Sequence, residues 1–269
     1  MPPVSSQGRN IWTKRIDRAA ELAQRNPWAK EVLEFYSRIL QFQKELPEGS
    51  RSGAAPPEKA ALRRSLDLDE SARSFAGLIV MITKHGPPKL AEEAGRFHGS
   101  SSTQVRGLLE QWLEMAHPPD EGSSFFARVL LQPQAERLAQ ASGFAPDPVA
   151  GNKCPYCQSD PQLAVIRPEG DGGKRLLLCS LCQSEWEFRR ILCPACGEQH
   201  HEKLPRYSAE GISTVRVEAC EVCRSYLKSV DMTVDGLAVP VVDEIATAPL
   251  DLWAAEQGFR KIQLNLMGF

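Results

Sequence analysis

Eight cysteines, arranged as four Cys-x-x-Cys pairs, are the residues of this sequence best suited to chemistry. They are Cys154/Cys157, Cys179/Cys182, Cys193/Cys196 and Cys220/Cys223, and the sequence contains no other cysteine. Two residues between cysteines allow a tight turn, called a knuckle, to aim both sulfur atoms at one point. Two facing knuckles make a tetrahedral four-thiolate metal site. The eight cysteines therefore predict two metal sites.

The spacing between the pairs predicts which knuckles face each other. The gaps after Cys157 and after Cys196 hold 21 and 23 residues, whereas the middle gap holds only 10. Each long gap suffices for one β-hairpin that returns the chain to its starting point. In the first gap, strand-like Leu163–Ile166 and Leu176–Leu178 flank the turn segment Glu169–Gly173. We therefore predict that the first pair faces the second and the third pair faces the fourth.

An array of redox dithiols and a set of structural disulfides are the alternatives to metal coordination. No thioredoxin-like βαβ pattern surrounds any of the four pairs, which disfavours the redox dithiols. The N-terminus lacks the apolar segment of a secretory signal, so we expect the chain to stay in the reducing cytoplasm, where disulfides are rare. Zinc is the usual ion of a closed four-thiolate site, but rubredoxin-like iron uses the same ligands. Spacing alone leaves the ion open.

Composition and charge limit the classes of partner. The chain has 269 residues, 42% of them hydrophobic, and this length and composition are enough for two domains with a real core. Its formal net charge is -2. No run of about 18 apolar residues occurs, so the sequence predicts no membrane span. Residues 151–230 hold 11 Lys and Arg against 10 Asp and Glu. That balance is too even for a surface that neutralises phosphates, so we predict no nucleic-acid partner.

The sequence before the cysteines has a helical pattern throughout. Apolar residues recur at three- and four-residue steps from Asn10 to Leu46, with a stop and restart at Asn26-Pro27. Further helical segments continue to about residue 142. One of them is expected to be capped by Asp69 and to bury Val80. No convincing strand occurs before residue 160, so we predict an all-helical N-terminal domain.

The predicted fold class is α+β and multidomain. Residues 1–146 form the all-helical domain, and residues 147–190 form a first rubredoxin-like or zinc-ribbon-like β module. Residues 191–269 form a second rubredoxin-like module with a C-terminal extension that includes a short helix near Pro249–Gln257. Each module holds one four-cysteine metal site. Within the extension, Val234–Ala246 is predicted to be β-like.

Several other polar residues lie near the cysteines in sequence. The acidic residues Asp235, Asp243 and Glu244 could join a metal site, but eight thiolates already satisfy two ions, so an exposed surface is the preferred interpretation. His200 and His201 could replace a cysteine ligand or act as a base. A surface loop is preferred for them for the same reason.

Four runs around the cysteines and one near the C-terminus have a recognisable pattern. The runs are Lys153–Cys157, Leu178–Trp186, Arg190–Gly197, Glu218–Lys228, and Pro249–Gly258 followed by Asn265-Leu266. In these runs the sequence resembles the formate dehydrogenase accessory protein family. The C-terminal part resembles the family closely, and the helical part does so only in general character.

The resemblance implies a specific function. Members of this family are cytoplasmic, are required for active respiratory formate dehydrogenase, and interact with its catalytic subunit before twin-arginine export. They are described as rubredoxin-like iron proteins with an all-helical N-terminal domain. The resemblance therefore makes each of the eight cysteines a metal ligand and places two iron ions ahead of zinc. It implies a maturation factor and not an enzyme.

Two alternatives to a maturation factor stay open. One is a redox or electron-transfer protein that uses exposed four-thiolate iron sites, and the other is a structural zinc-ribbon interaction protein. Candidate contacts with a client protein are Glu185, Trp186 and Tyr226, which follow knuckles. Aromatic side chains beside a knuckle more often pack on the metal module, which is the competing interpretation.

Overall fold

A computed structural model describes residues 6–47, 61–114, 121–142 and 151–269 of the chain. The predicted boundary between residues 146 and 147 lies outside these residues. The helical pattern also predicts a segment from Glu58 to Leu66, and its first three residues lie outside them as well. The predicted fold class is confirmed, because a helical N-terminal region is followed by a mixed sheet region with two four-cysteine clusters.

The described part of the chain up to residue 142 is helical. Its helices are α1 (Ser6–Arg25), α2 (Lys30–Glu45), α3 (Leu68–His85), α4 (Pro88–Arg96), α5 (Ser102–Glu114) and α6 (Glu121–Ala141). The predicted break at Asn26-Pro27 is confirmed, since a short 3-10 turn at Pro27–Ala29 separates α1 from α2. Proline fits there because the first turn of a helix needs no N–H from that residue.

Two details of α3 differ from the prediction. The capping residue is Asp67, whose carboxylate accepts a hydrogen bond from the Glu70 N–H at 2.9 Å. Asp69 lies inside the first turn, where its negative charge interacts favourably with the positive end of the helix dipole. Val80 is 67% exposed, because the buried stripe of α3 contains Leu78 and Ile82, and Val80 lies on the opposite face.

Helix α6 is the central helix of the N-terminal region. It contacts α2, α3 and α5, and its side chains from residue 125 to residue 136 are all buried. Pro133 lies inside it without dividing it. A helix buried on every side must place its polar side chains in the core as well. That property makes α6 important for the site described below.

The cysteine-rich region forms one sheet. Its strands are β1 (Pro161–Glu169), β2 (Gly172–Cys179), β3 (Glu185–Glu187), β4 (Arg206–Ala209), β5 (Ile212–Ala219), β6 (Ser225–Asp231) and β7 (Arg260–Lys261). The strand order is β3-β2-β1-β6-β5-β4, and β7 pairs with β6. The hairpins β1–β2 and β4–β5 are antiparallel and correspond to the two long gaps between cysteine pairs.

The two halves of the sheet meet at β1 and β6, which pair in parallel from Leu163 opposite Lys228 to Ile166 opposite Asp231. The paired residues of both strands are all buried, as expected for the centre of a sheet that is covered on both faces. A division into modules at residue 190 stays a prediction. The two hairpins nevertheless share one continuous set of backbone hydrogen bonds.

The C-terminal segment forms two short helices, α7 (Pro240–Ala246) and α8 (Ala248–Glu256). The β-like prediction for Val234–Ala246 is therefore wrong, because Pro240 starts a helix and the Val239 N–H donates to the Asp243 carboxylate at 2.8 Å. The predicted short helix near Pro249 is confirmed as α8. Helix α7 contacts α1, α2, β1 and β6, and so joins the helical region to the sheet.

Among the described helices, none combines the length and the apolar character needed to cross a membrane.

Candidate metal centres

The structure gathers the eight cysteines into two clusters, as the spacing predicts. The first centre comprises Cys154, Cys157, Cys179 and Cys182, and the second centre comprises Cys193, Cys196, Cys220 and Cys223. In each centre the four sulfur atoms lie within 4.8 Å of one another. The first centre lies at the open end of the β1–β2 hairpin, and the second lies between the loop before β4 and the turn that joins β5 to β6.

All four knuckles have the same backbone conformation. The first cysteine of each pair donates its N–H to the carbonyl five residues later, at 2.8 to 2.9 Å, as in Cys154 to Ser159 and Cys193 to Glu198. The residue after the second cysteine always has a positive φ. These residues are Gln158 (61°), Gln183 (56°), Gly197 (80°) and Arg224 (58°). Three of them are not glycine, so the knuckle hydrogen bonds hold a conformation that L-residues usually avoid.

Backbone N–H groups point at sulfur atoms inside the knuckles. Leu181 and Cys182 donate to Cys179 Sγ at 3.3 and 3.4 Å, and Ala195 donates to Cys193 Sγ at 3.4 Å. Hydrogen bonds to the charged form of a group favour that form. These donors therefore favour thiolates, which are the metal-binding form of cysteine.

The sulfur positions fit a tetrahedral ion. Metal–sulfur bonds of ~2.3 Å in a regular tetrahedron place the sulfur atoms ~3.8 Å apart. In the second centre the Cys193–Cys223 and Cys196–Cys220 sulfur distances are 3.8 and 3.7 Å. In the first centre, Cys157–Cys179 is 3.3 Å, Cys154–Cys182 is 3.5 Å and Cys157–Cys182 is 3.7 Å, so its sulfur atoms are slightly closer together. Four thiolates suit zinc and rubredoxin-like iron equally, and they leave no ligand position for a substrate.

The first centre is enclosed by the rest of the protein. All four of its cysteines are buried, and two neighbouring residues receive hydrogen bonds from the helical region. Arg63 donates to Ser159 Oγ at 3.0 Å, and Gln132 of α6 donates to the Ser180 carbonyl at 2.7 Å. Trp186 is completely buried beside this centre, with its indole N–H bound to the Gly151 carbonyl.

The second centre is open on one side. Cys196 is exposed and Cys223 is half-buried, whereas Cys193 and Cys220 are buried. Ile191 and Val222, which flank these cysteines in sequence, are 51% and 57% exposed. We call the surface formed by Ile191, Cys196, Val222 and Cys223 the open edge of the second centre. The two centres thus have the same ligands and different access to solvent.

The structure tests the predicted client contacts. Trp186 and Tyr226 are buried, so neither offers a free side chain to a client, and packing of both on the metal module stays a prediction. Tyr226 donates its hydroxyl to Asp251 at 2.9 Å. Glu185 is half-buried and accepts two hydrogen bonds from Arg167, both at 2.6 Å. None of the three is a free surface side chain.

The two histidines lie in a surface loop, as preferred. Both His200 and His201 are exposed, and His200 Nδ1 lies 2.6 Å from Glu198 Oε1. Neither belongs to a four-cysteine cluster. The thiolates alone therefore make up both candidate centres among the described residues.

The acidic residues of the C-terminal segment are not the exposed surface that the sequence predicts. Asp243 is buried and binds Arg18 of α1 at 2.6 and 3.1 Å, and Asp235 is half-buried and also binds Arg18. Glu244 is completely buried. The prediction was wrong because α7 turns Asp243 and Glu244 inward, and because Arg18 of α1 binds Asp235 as well as Asp243. None of the three joins a metal centre.

Glu244 belongs to a buried network of four charged side chains. Lys228 Nζ lies 3.2 Å from Glu244 Oε1 and also contacts Asp251, and Lys261 contacts both carboxylates. Burial alone would raise the pKa of Glu244, but the two lysines hold it below its ordinary value. Burial lowers the pKa of Lys228 although both carboxylates oppose the shift. Two cations and two anions therefore balance in the core of the C-terminal region.

Sequence reasoning missed Arg128 of α6, which lies between the first centre and the C-terminal segment. Its guanidinium donates to the carbonyls of Leu264, Asn265 and Ser180 and to the side chain of Gln162. Burial lowers its pKa to about 10, while Cys179 and Glu244 act in the opposite direction, so it is charged at neutral pH. The available signal was a charged residue within the apolar run of a predicted helix.

Comparisons with known proteins agree with this arrangement. Family models described as the FdhE central domain and the FdhE C-terminal domain match residues 153–190 and 177–267. A "Protein FdhE homolog" of Aquifex aeolicus is 30% identical over 270 residues, or 94% of each chain. One of Yersinia enterocolitica is 26% identical over 282 residues, which cover 98% of this chain and 90% of the relative.

A solved structure has the same fold. The crystal structure of the FdhE protein from Pseudomonas aeruginosa superposes with a TM-score of 0.68 at 23% identity, over 99% of this chain and 97% of that one.

Proposed function

This chain belongs to the FdhE family of formate dehydrogenase accessory proteins, and we propose that it supports maturation of a respiratory formate dehydrogenase by binding its catalytic subunit. Binding would occur in the cytoplasm, before that subunit is exported by the twin-arginine route. The accessory role in formate dehydrogenase biology follows from the family. To that role the proposal adds the identity of the client subunit, the compartment and the export route.

The open edge of the second centre is the observation that supports client binding most directly. Exposed apolar side chains that form a contiguous patch mark protein contact surfaces. Ile191 and Val222 are more than half exposed, and the adjoining knuckles fix their positions. We propose that the client covers this edge and that the first centre, being enclosed, holds the sheet against the helical region.

The proposed ligands are the eight cysteines, and the proposed ions are two irons, with zinc as the alternative. An ion in each centre would hold two knuckles together and so fix the strands that lead from them. Closed four-thiolate coordination serves structure or electron transfer better than substrate chemistry. We therefore propose that the protein is not an enzyme.

Affinity capture with a surface variant tests this function. We expect the tagged chain to capture the formate dehydrogenase catalytic subunit from cell extract, and Val222→Asp to lose the subunit while retaining both metal ions. Leu237→Asp is the matched control, since Leu237 is 82% exposed and belongs to neither centre. Capture by Val222→Asp at the level of the control would contradict binding at the open edge.

A second capture experiment tests the part played by the centres themselves. Cys→Ala changes at Cys157 or at Cys220 remove one ligand from the first or the second centre, and we expect either change to abolish capture. Retained capture by both metal-depleted variants would overturn the proposed function in this form.

Electron transfer is the second candidate function, and the exposure of Cys196 favours it. A thiolate ligand at the surface shortens the path between an iron ion and a partner, and four-thiolate iron can change oxidation state with little change in geometry. Absorbance in the visible range with a reversible potential is the expected signature. A colourless, zinc-loaded protein that still supports formate dehydrogenase maturation would exclude this function.

A further inference from the structure

Buried cations in the described part of this protein are, with one exception, paired with carboxylates. Arg15 pairs with Glu136, Arg18 with Asp243, Arg175 with Glu218, and Lys228 and Lys261 with Glu244 and Asp251. The exception is Arg128, which is 5% exposed. Among the described residues no carboxylate lies within ion-pair distance of its guanidinium.

The contacts of Arg128 satisfy hydrogen bonds but do not neutralise its charge. Its two terminal nitrogens donate to three backbone carbonyls and one amide oxygen, all of them neutral groups. Its Nε has no hydrogen-bond partner in the part of the chain that the structure describes. Removing a charge from water without an opposite charge is strongly unfavourable. Negative charge close to this side chain therefore stabilises the fold.

The first centre is placed to supply that charge. Arg128 Nη2 donates to the carbonyl of Ser180 at 3.4 Å, and Ser180 lies inside the second knuckle directly after the candidate ligand Cys179. Four thiolates outweigh a divalent or trivalent ion, so a loaded centre has a net negative charge. An arginine within the same enclosed space is a suitable counter-charge.

We propose that Arg128 is the counter-charge of the metal-loaded first centre, so that metal binding there and the packing of α6 on the sheet stabilise each other. Coupling of this kind is reciprocal. The free energy by which docked α6 strengthens ion binding equals the free energy by which the bound ion strengthens the docking of α6. The inference rests on the proposed ligation by the first four cysteines. It does not depend on the client.

Within the described ranges, the second centre has no equivalent of Arg128. The buried cation beside it is Arg175, which shares a small cavity with Cys193 and Cys220, and this arginine is already neutralised by Glu218 at 2.7 Å. Solvent reaches the exposed edge of this centre and can screen its charge. The proposal therefore predicts that loss of the Arg128 charge weakens metal binding at the first centre and leaves the second centre unchanged, although both centres have four cysteine ligands.

Three variants of the full, metal-loaded chain separate charge from packing. Arg128→Met removes the charge, and Arg128→Lys retains it. Gln132→Leu is the matched control, because Gln132 donates to the same Ser180 carbonyl at 2.7 Å without a charge. The measurement is competition for metal with a coloured chelator. Iodoacetamide labelling and peptide mass spectrometry then identify which cysteines have lost their ion.

Arg128→Met is expected to weaken metal binding at the first centre by about 10- to 100-fold, as loss of a residue that supports metal ligands usually does. The second centre should be unchanged, Arg128→Lys should recover most of the loss, and Gln132→Leu should have the smaller effect. If Arg128→Met does not fold, the comparison of Arg128→Lys with Arg128→Gln tests the same dependence on charge.

Three results would overturn the inference. They are unchanged affinity at the first centre in Arg128→Met, an equal loss at both centres, and an equal effect of Gln132→Leu. Failure to capture the formate dehydrogenase subunit would count against the proposed function alone, because the chelator experiment contains no client.

Discussion

Leu163 and Lys228 lie opposite each other in the parallel pairing of β1 with β6. Leu163 follows the first knuckle along the chain and Lys228 follows the fourth, so this pair joins the strands that lead from the two metal centres. Both residues are completely buried. The amine of Lys228 extends from the joint to Glu244 and Asp251 on the C-terminal helices. One side chain thus connects both halves of the sheet with the segment that packs against the helical region.

Lys228→Met is therefore expected to destabilise the protein by about 3–5 kcal/mol, because removal of one partner leaves buried carboxylates without full compensation. The measurement is urea unfolding of the metal-loaded chain. Lys203→Met is the control, since Lys203 lies in an exposed pair with Glu221 at 3.8 Å and should change stability by about 1 kcal/mol or less. Equal effects of the two variants would show that the network adds no stability.

The same network predicts an acid-sensitive component of stability. The lysines hold the folded-state pKa of Glu244 below its ordinary value of 4.5, against the effect of burial. A depressed carboxyl pKa stabilises the fold at any pH above the unfolded value, and that stability is lost as the pH falls through the folded value. Glu244→Gln should be less stable than wild type near neutral pH, and the difference should persist down to about pH 4.5 and narrow as the pH falls further.

Urea midpoints of both proteins across this pH range, with a chelator present throughout, measure that difference. The chelator is needed because acid also releases metal ions from thiolates. With the chelator present, both proteins lack metal at every pH, so metal release does not contribute to the difference between them. A constant difference across the range would mean that Glu244 does not titrate as its surroundings indicate.

The pairing of the cysteines could be predicted from sequence because it depends on local chemistry. A Cys-x-x-Cys turn needs only its own backbone, and a gap of suitable length for one hairpin leaves few partners for each knuckle. The parallel contact of β1 with β6 depends instead on strands more than sixty residues apart in sequence. No spacing rule for cysteines contains that information, and so the single sheet was not predicted.

The buried charges were missed for a related reason. Asp243 and Glu244 have the composition of an exposed surface, and only their distant partners Arg18 and Lys228 make burial possible. The run of valines before them favoured a strand by local propensity, but Pro240 and the packing of α7 decided for a helix. Propensity is a weak guide wherever tertiary contacts supply the stabilisation.

Gly197 offers a test of the repeated knuckle conformation. Its φ is +80°, and a Cβ added at this position would have no other atom within 4 Å, so a substitution there meets conformational strain without a clash. Gly197→Val should lower metal retention at the second centre, because a β-branched residue avoids this region. Gly197→Asn should be better tolerated, since Gln158 and Gln183 occupy the equivalent positions.

Metal content per chain after dialysis measures this effect, with Gly236→Val as the control for an added side chain at an exposed glycine of ordinary φ. Equal metal retention in the Val and Asn variants would mean that the left-handed position is not required by the second centre.

The difference in access between the centres predicts an order of chemical reactivity. Cys196 is exposed and Cys223 half-buried, whereas all four cysteines of the first centre are buried, and alkylation of a cysteine depends on its exposure as well as its thiolate character. In the loaded protein, iodoacetamide should modify Cys196 and then Cys223 roughly tenfold faster than any cysteine of the first centre. One equivalent of metal should be released in step with that modification, and the other retained. Time-resolved peptide mass spectrometry with parallel metal analysis follows both processes.

Equal rates at Cys154 and Cys196 would show that the first centre opens as readily as the second. In that case the enclosure by α6 and by Arg63 would not protect its ligands, and the proposed division between an enclosed centre and a client-facing one would be lost.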